Sequence, residues 1–358
     1  MSGGVKLRRE LGKRYPREIR KLWRYPPSDT DRFDRLCRSY RALVLLVQGI
    51  ETKFFDLLTE WNSVDKVAFT LQVEPALIER LCYTLTELDI FISEAEQYKL
   101  SDFGRPFLAP ENLFYQGHLL KLRKTKLELF NCRLKESFQG EPPSRDAKPI
   151  FEESFNLAMA EATLRGDLQE TVELFRRGDL PALSGRLLDL GGGHGLYALS
   201  FLELYPELEA EVLDHPEVVV NQTAPFLDHF LNPERIDTFA GDFTSLSVKN
   251  EYDFVFASNV FYKPEAKLKN SLESIRRCLK PGGYLLSKHF HYGSESRGDP
   301  HVLLFDFDHS LKGEDYASRL RSGQEWEQLF AASGFSVTGS HTYENSNKPS
   351  RLTIAKLD

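Results

Sequence analysis

The chain has 358 residues, enough for two domains, and a hydrophobic share of 41% with 12% aromatic residues supplies large cores. A charged share of 28% and a net charge of −7 suit a water-exposed chain and give a nucleic-acid partner no support. Cys37, Cys82, Cys132 and Cys278 are far apart, with no Cys-x-x-Cys and no Cys/His cluster, so no metal site or disulfide framework is expected; with neither an apolar leader core nor a membrane-length apolar run, a reducing cytoplasm fits.

Residues 1–30 read as a basic arm. Lys6, Arg8, Arg9, Lys13, Arg14, Arg17, Arg20, Lys21 and Arg24 stand against Glu10 and Glu18 alone. Leu7, Leu11, Tyr15, Ile19, Leu22 and Trp23 recur at spacings near four, an amphipathic helix that Pro26-Pro27 breaks. Two readings stand: a helix solvated or packed on the body or a second subunit, which is preferred, and attachment to an anionic membrane surface or acidic partner.

Residues 31–110 read as a small helical domain. A helix over 31–63 carries Leu36, Tyr40, Leu43, Val44 and Val47 on one stripe, and further helices cover Val64–Leu71 and Pro75–Leu88. Short strands at Ile90–Ile92 and Tyr98–Leu100 flank a polar turn, and a helix-turn-helix with such a hairpin makes a winged helix. Its second helix holds Arg80 as its one base against Glu79 and Glu87, too few cations for phosphate contacts, so dimer or lid packing is expected instead of DNA binding.

Residues 111–180 read as a helical connector, interrupted at Glu141-Pro142-Pro143-Ser144. Over 181–358 strands and helices alternate, the signature of βαβ units and a parallel sheet. Strands are predicted at Leu187–Leu190, Ala210–Leu213, Ile236–Phe239, Tyr252–Ala257 and Tyr284–Lys288, with an edge hairpin near Phe335–His341 and Leu352–Lys356. Helices are predicted at Leu196–Leu204, Pro216–Phe230, Glu265–Leu279 and Gly323–Ser333.

The central motif is Leu187-Leu188-Asp189-Leu190-Gly191-Gly192-Gly193-His194-Gly195. Gly191, Gly193 and Gly195 allow a sharp turn and a ligand close against the backbone. A dinucleotide fingerprint needs its third glycine at the position of Leu196, so the spacing argues against NAD and suits S-adenosyl-L-methionine, with Asp189 toward the ligand's cationic amino-acid end. Asp214 ends the second strand, where a carboxylate accepts from ribose hydroxyls. Gly241-Asp242-Phe243 ends the third, with Asp242 for the adenine amine and Phe243 to cover the ring. Ser258-Asn259 ends the fourth, again on the edge where open α/β sheets bind ligands.

These stretches, with Asp214-His215-Pro216-Glu217-Val218-Val219, Lys280-Pro281-Gly282-Gly283, Glu325-Trp326, Ala332-Ser333-Gly334-Phe335 and Tyr98-Lys99-Leu100-Ser101, resemble the caffeate and acetylserotonin type of small-molecule O-methyltransferase over about residues 33–358. The resemblance implies a seven-stranded Rossmann-like sheet preceded by a mostly helical winged-helix dimerisation domain. It also implies a homodimer, no metal, and Phe155-Asn156-Leu157-Ala158-Met159 as the segment lining the acceptor pocket. On the residues alone, Phe155 and Met159 at i, i+4 fit a core equally well.

One departure concerns the base. Members that methylate phenols carry His-Asp-Trp after the fourth strand, where this chain has Tyr262-Lys263-Pro264. Tyrosine ordinarily titrates near ~10 and is a poor base at neutral pH. Tyr262 then either orients an acceptor that supplies its own nucleophile, or another base acts. A tyrosine here resembles the pigment-methylating bacterial branch. His289 stands where the resemblance places a Glu, His291 follows, and His309 lies in Phe305-Asp306-Phe307-Asp308-His309, expected over the pocket. Each is also readable as a structural histidine. The reading is a methyltransferase acting on oxygen or carbon of a small organic acceptor; the alternative is a non-catalytic S-adenosylmethionine-binding regulator or scaffold.

Overall fold

The structure, a computed structural model, describes residue 13 and residues 30–142, 154–230, 233–291, 299–312, 317–343 and 349–358. Apart from Lys13, the basic arm lies outside the described residues. The chain divides into two compact units, residues 1–48 and 49–358.

From residue 30 on, the first unit is helical, and its helix α1 (Thr30–Glu51) runs on to Glu51. The apolar stripe predicted on it is uncovered at its start, with Leu36 72% and Tyr40 55% exposed, half-buried at Leu43 and Val44, and buried at Val47. The helix ends at Glu51, short of the predicted 63, because the chain turns into a one-turn helix at Phe55–Leu58 that buries Phe55 and Leu58. Phe54, Phe55 and Phe91 then pack as a tilted aromatic trio with centroids 5.6–6.0 Å apart.

The helix-turn-helix and wing form as read. Ser63 caps α2 (Val64–Leu71) through the N–H of Lys66, and Pro75 opens α3 (Pro75–Thr86). Strands β1 (Asn62–Ser63), β2 (Phe91–Glu94) and β3 (Gln97–Leu100) make an antiparallel sheet in the order β1-β3-β2.

After a single helical turn at Arg105–Leu108 come α4 (Gly117–Gln139), α5 (Phe155–Thr163) and α6 (Asp167–Arg177). Glu161 of α5 ties α4 down, taking the N–H groups of His118 and Leu119, which begin that helix.

The second sheet has seven strands in the order β6-β5-β4-β7-β8-β10-β9. They are β4 (Gly185–Leu190), β5 (Leu208–Asp214), β6 (Ile236–Ala240), β7 (Tyr252–Ser258), β8 (Leu279–Phe290), β9 (Phe335–Thr342) and β10 (Ser350–Leu357). The first five are parallel, and β10 adds antiparallel to β8 with β9 outside it. Leu187, Leu188 and Leu190 are all 0% exposed because helices cover both faces. On one face, α7 (Leu196–Leu204) packs Phe201 against Phe256; on the other, α8 (Glu265–Cys278) and α10 (Gly323–Ala332) bury Leu268, Leu272, Ile275, Trp326 and Phe330. The predicted helix over 216–230 is instead three pieces: a turn at Pro216–Val218, a π-turn at Val219–Thr223 and a turn at Ala224–Leu227. Such wide turns inside helices are characteristic of functional sites.

Candidate active site

Strand order reverses beside β4, and an open sheet offers a ligand crevice at the carboxyl ends of its strands there. The chain leaves β4 through Gly191–Gly195, where Gly191, Gly193 and Gly195 have φ of 64°, 51° and 68°. At Gly193 a side chain is disfavoured by that conformation and crowded by Asn156 Oδ1, which would lie 3.0 Å from a Cβ. The loop is clasped by its neighbours. Thr223 Oγ1 donates to the carbonyl of Gly193 at 2.7 Å, and the N–H of Asn156 donates to Gln222 Oε1 at 3.0 Å. Thus the π-turn holds both the loop and the start of α5. His194 Nδ1 accepts from the N–H of Leu196 at 3.0 Å, so its proton sits on Nε2, 3.3 Å from Thr163 Oγ1. Burial pushes His194 down to about 4, which keeps it neutral at pH 7.

Asp189 lies beneath this loop. A Cβ on Gly192 would meet its Cγ at 2.6 Å, and the residue is 2% exposed. Burial raises the carboxyl to about 7, against the pull of the Ala198 N–H and with a further push from Asp214. Its Oδ2 and Asn156 Nδ2 are buried with no hydrogen-bond partner among the described residues. Buried polar atoms are normally paired, so an orphaned acceptor and an orphaned donor at one glycine loop mark a place where a ligand completes the bonding.

Asp214 ends β5 with Oδ2 accepting from the N–H of Gly193 at 3.1 Å and Oδ1 from that of His215 at 2.7 Å. A carboxylate offers about four lone-pair positions, so two remain for a diol. Burial raises its titration above the ordinary value, opposed by those two N–H groups. The N–H of Gly241 bonds the carbonyl of Asp214, which brings the β6 end alongside. Asp242 Oδ1 caps its own turn through the N–H of Thr244 at 2.8 Å, a bond that holds the carboxyl below its usual range. Phe243 is only 8% exposed, and Lys263 Nζ sits 4.0 Å from its ring centroid. Lys263 therefore covers one face of the ring.

Across the crevice, Asn259 adopts a left-handed φ of 57° at the end of β7, pinned by its N–H to the carbonyl of Lys288 at 2.8 Å. Ser258 Oγ accepts from Asn259 Nδ2 at 3.4 Å. The Tyr262 hydroxyl donates to Asn259 Oδ1 at 2.8 Å and accepts from the N–H of Phe290 at 2.7 Å. Burial pushes this phenol well above 10, opposed by the Phe290 N–H. Its proton is held by Asn259 in the structure, so its geometry is that of a positioning group.

The two histidines named as bases separate here. His289 is 2% exposed, stacked at 4.9 Å on Phe261, with Nε2 accepting from the N–H of Phe261 and Nδ1 3.0 Å from Ser287 Oγ. Both nitrogens are committed inside the fold, so the acid–base role expected for His289 gives way to a structural one. His309, on α9 (Pro300–Ser310), differs: Nδ1 donates to the carbonyl of Phe305 at 3.0 Å, which leaves Nε2 as the unprotonated, acceptor nitrogen. Burial, followed by Lys312, pushes it down to about 4. Its ring lies 4.1 Å from Phe305 and 6.0 Å from Tyr262; Phe305 packs edge-on against Tyr262 and Phe290 at 4.9 and 4.8 Å. Phe155 and Met159 are half-buried on α5, neither wholly core nor free.

Reasoning from sequence missed Asn156, Gln222 and Thr163 as the clasp of the loop. Asn156 lay inside a quoted segment, but only folding brings Gln222 to its N–H. Among the described residues no group of three or more His, Cys, Asp or Glu side chains is arranged to hold a metal ion.

A doubly wound sheet with a glycine loop and acids on successive strand ends is the architecture of a class I methyltransferase. The O-methyltransferase domain family matches residues 146–336, more than half of the chain, and the chain belongs to that family. It is 26% identical to the uncharacterised protein MJ0086 of Methanocaldococcus jannaschii over 72% of this chain and 69% of that one. Human acetylserotonin O-methyltransferase is 28% identical over 42% of each chain. Demethylspheroidene O-methyltransferase of Rhodobacter capsulatus is 26% identical over 52% of this chain and 46% of its own. The match thus spans less than half the length of these two enzymes. The structure of human N-acetylserotonin methyltransferase in complex with S-adenosylmethionine superposes with a TM-score of 0.75 at 20% identity, covering 93% of this chain and 98% of that one, a likeness of fold.

Proposed function

We propose that this chain is an S-adenosyl-L-methionine-dependent methyltransferase acting on a small organic acceptor, and that the carrying observation is the glycine loop flanked by two orphaned buried atoms, Asp189 Oδ2 and Asn156 Nδ2. An amino-acid end bears an ammonium and a carboxylate, the two groups this acceptor and donor lack. Asp214 has lone pairs left for a ribose, and Asp242 stands at the next strand end. The residues therefore fit the donor, whose chemistry is an electrophilic methyl group. This chain's contribution is to position the acceptor and exclude water.

The acceptor wall is aromatic, formed by Tyr262, Phe290, Phe305 and His309; Phe155 and Met159, half-buried on α5, are the further lining that the family resemblance assigns to the acceptor. His309 Nε2 is the proton acceptor this wall offers; Tyr262 fixes Asn259 and through it the β7 end. A homodimer in the cytoplasm completes the reading. Phe69, 86% exposed on α2, and Leu77 and Tyr83 on α3 support a second copy, and the cysteines, all free, support a reducing compartment.

The test incubates the full chain with methyl-labelled donor and a small-molecule extract. Labelled product with stoichiometric S-adenosylhomocysteine is expected. Tight donor binding with no product from any extract would favour a binding or scaffold protein instead.

A further inference from the structure

The first N–H groups of a helix have no partner within it and need one from outside. α5 begins without a local cap, because Ser154 precedes it and makes no side-chain bond to it. The cap comes instead from 66 positions further along the chain, where Gln222 Oε1 accepts from the N–H of Asn156, the second residue of the helix, at 3.0 Å. Gln222 is 6% and Asn156 3% exposed, so water does not stand in for this bond. The residue after Gln222 works on the same place. Thr223, 0% exposed, donates to the carbonyl of Gly193 at 2.7 Å. Consecutive side chains of a regular helix point apart, and the π-turn at Val219–Thr223 is where this pair serves one loop.

The Asn156 amide lies against Gly193, with Oδ1 3.0 Å and Nδ2 3.9 Å from where a Cβ would stand, and Nδ2 makes no hydrogen bond among the described residues. The far end of α5 is fixed to the same loop, Thr163 Oγ1 lying 3.3 Å from His194 Nε2. So the placement of this unspent donor depends on the cap that Gln222 supplies. Without that cap the buried N–H of Asn156 has lost its partner, and the start of α5 must shift to find another. The orphaned acceptor is carried separately. Asp189 belongs to β4, held in the sheet between β5 and β7, and does not depend on the start of α5.

We infer that Gln222 is the positioning residue for the carboxylate of the methyl donor: by capping α5 from the π-turn it sets Asn156 Nδ2 where that carboxylate accepts from it, while Asp189 takes the ammonium independently. A single buried amide discriminates only when it is held in place, so Gln222 decides how well the chain tells a ligand with the carboxylate from one without it. This rests on the methyltransferase reading and adds a specificity-determining residue to it.

The test titrates two ligands into the full chain by calorimetry: S-adenosylhomocysteine and its decarboxylated analogue, which keeps the sulfur, ribose, adenine and ammonium. The parent is expected to bind S-adenosylhomocysteine about tenfold or more tighter than the analogue, the scale of a hydrogen bond to a charged group. Gln222→Met, similar in length but without the accepting oxygen, should bring that preference down to about twofold or less by weakening S-adenosylhomocysteine, with the analogue bound as in the parent. Asn156→Ala should do the same. Because Gln222 acts through Asn156, the double variant should lose no more than Asn156→Ala alone. Equal binding of the two ligands by the parent overturns the inference. So does a folded Gln222→Met that keeps the preference or weakens both ligands alike, and so do losses that add in the double variant. Gln222→Asn, too short to reach the Asn156 N–H, replaces Gln222→Met if the latter does not fold, and the same outcomes decide. Failure of the unmodified chain to bind S-adenosylhomocysteine at all would strike the methyltransferase reading itself.

Discussion

Asp189 allows the sharpest test of the donor site, because the same carboxyl should weaken the empty fold and strengthen the occupied one. It stands at about 7 against an ordinary 3.8. A tenfold change in proton affinity is about 1.4 kcal/mol, so ionising this carboxyl costs the empty fold roughly 4 kcal/mol at neutral pH. The sign follows from the raised value. Below about pH 4 the carboxyl is protonated both folded and unfolded; between 4 and 7 only the folded form keeps the proton, and stability falls as pH rises, levelling off above 7. Asp189→Asn removes that dependence. The difference in unfolding free energy between variant and parent, from urea titrations at pH 5, 6, 7 and 8, should therefore shift steadily toward the variant up to pH 7 and then stay constant. Taking the difference cancels the other titrating groups. Calorimetry with S-adenosylhomocysteine should show the converse: parent affinity falls about tenfold per pH unit below 7, while the variant binds about 10- to 100-fold more weakly at pH 8 and loses the pH dependence. A variant whose stability difference is flat from pH 5 to 8, or whose donor affinity matches the parent's at pH 8, would refute the assignment of Asp189 as a buried acid completed by the donor's cation.

Three further outcomes are expected. Asp214→Ala should cost about 1–3 kcal/mol of S-adenosylhomocysteine binding, as hydrogen bonds to a charged group do, and unchanged affinity in calorimetry would remove Asp214 from the ribose role. Tyr262→Phe should lower turnover by no more than about 10²-fold with the pH profile unchanged in shape, since its hydroxyl serves Asn259 and the Phe290 N–H; a loss above about 10⁴-fold with donor binding intact would make it the base. His309→Asn keeps a donor for the Phe305 carbonyl but loses Nε2. Turnover should drop about 10²–10⁴-fold, and the acid limb of the parent's profile, near pH 4 because the ring is held to about 4, should vanish; a parent profile that falls off near 6.5 would contradict this assignment.

What the sequence determined by itself is the frame. Short runs rich in apolar residues, alternating with helical stretches, read as parallel strands, so β4 to β8 and the ligand edge were legible, as was the helix Leu196–Leu204 to the residue. Asp214 and Gly193 were legible because strand ends and glycine turns obey local rules. Tertiary structure decided what each polar side chain does with its hydrogen bonds. His289 and His309 look alike as letters, yet the first is packed between Phe261 and Trp326 with both nitrogens taken by the Phe261 N–H and Ser287 Oγ, while the second spends only Nδ1, on the Phe305 carbonyl one turn back on its own helix. The run 216–230 has helical periodicity, but the chain widens to a π-turn so that Gln222 and Thr223 can reach Asn156 and Gly193. Periodicity is a property of neighbours in the chain; the satisfaction of a buried charge depends on residues that only folding brings together.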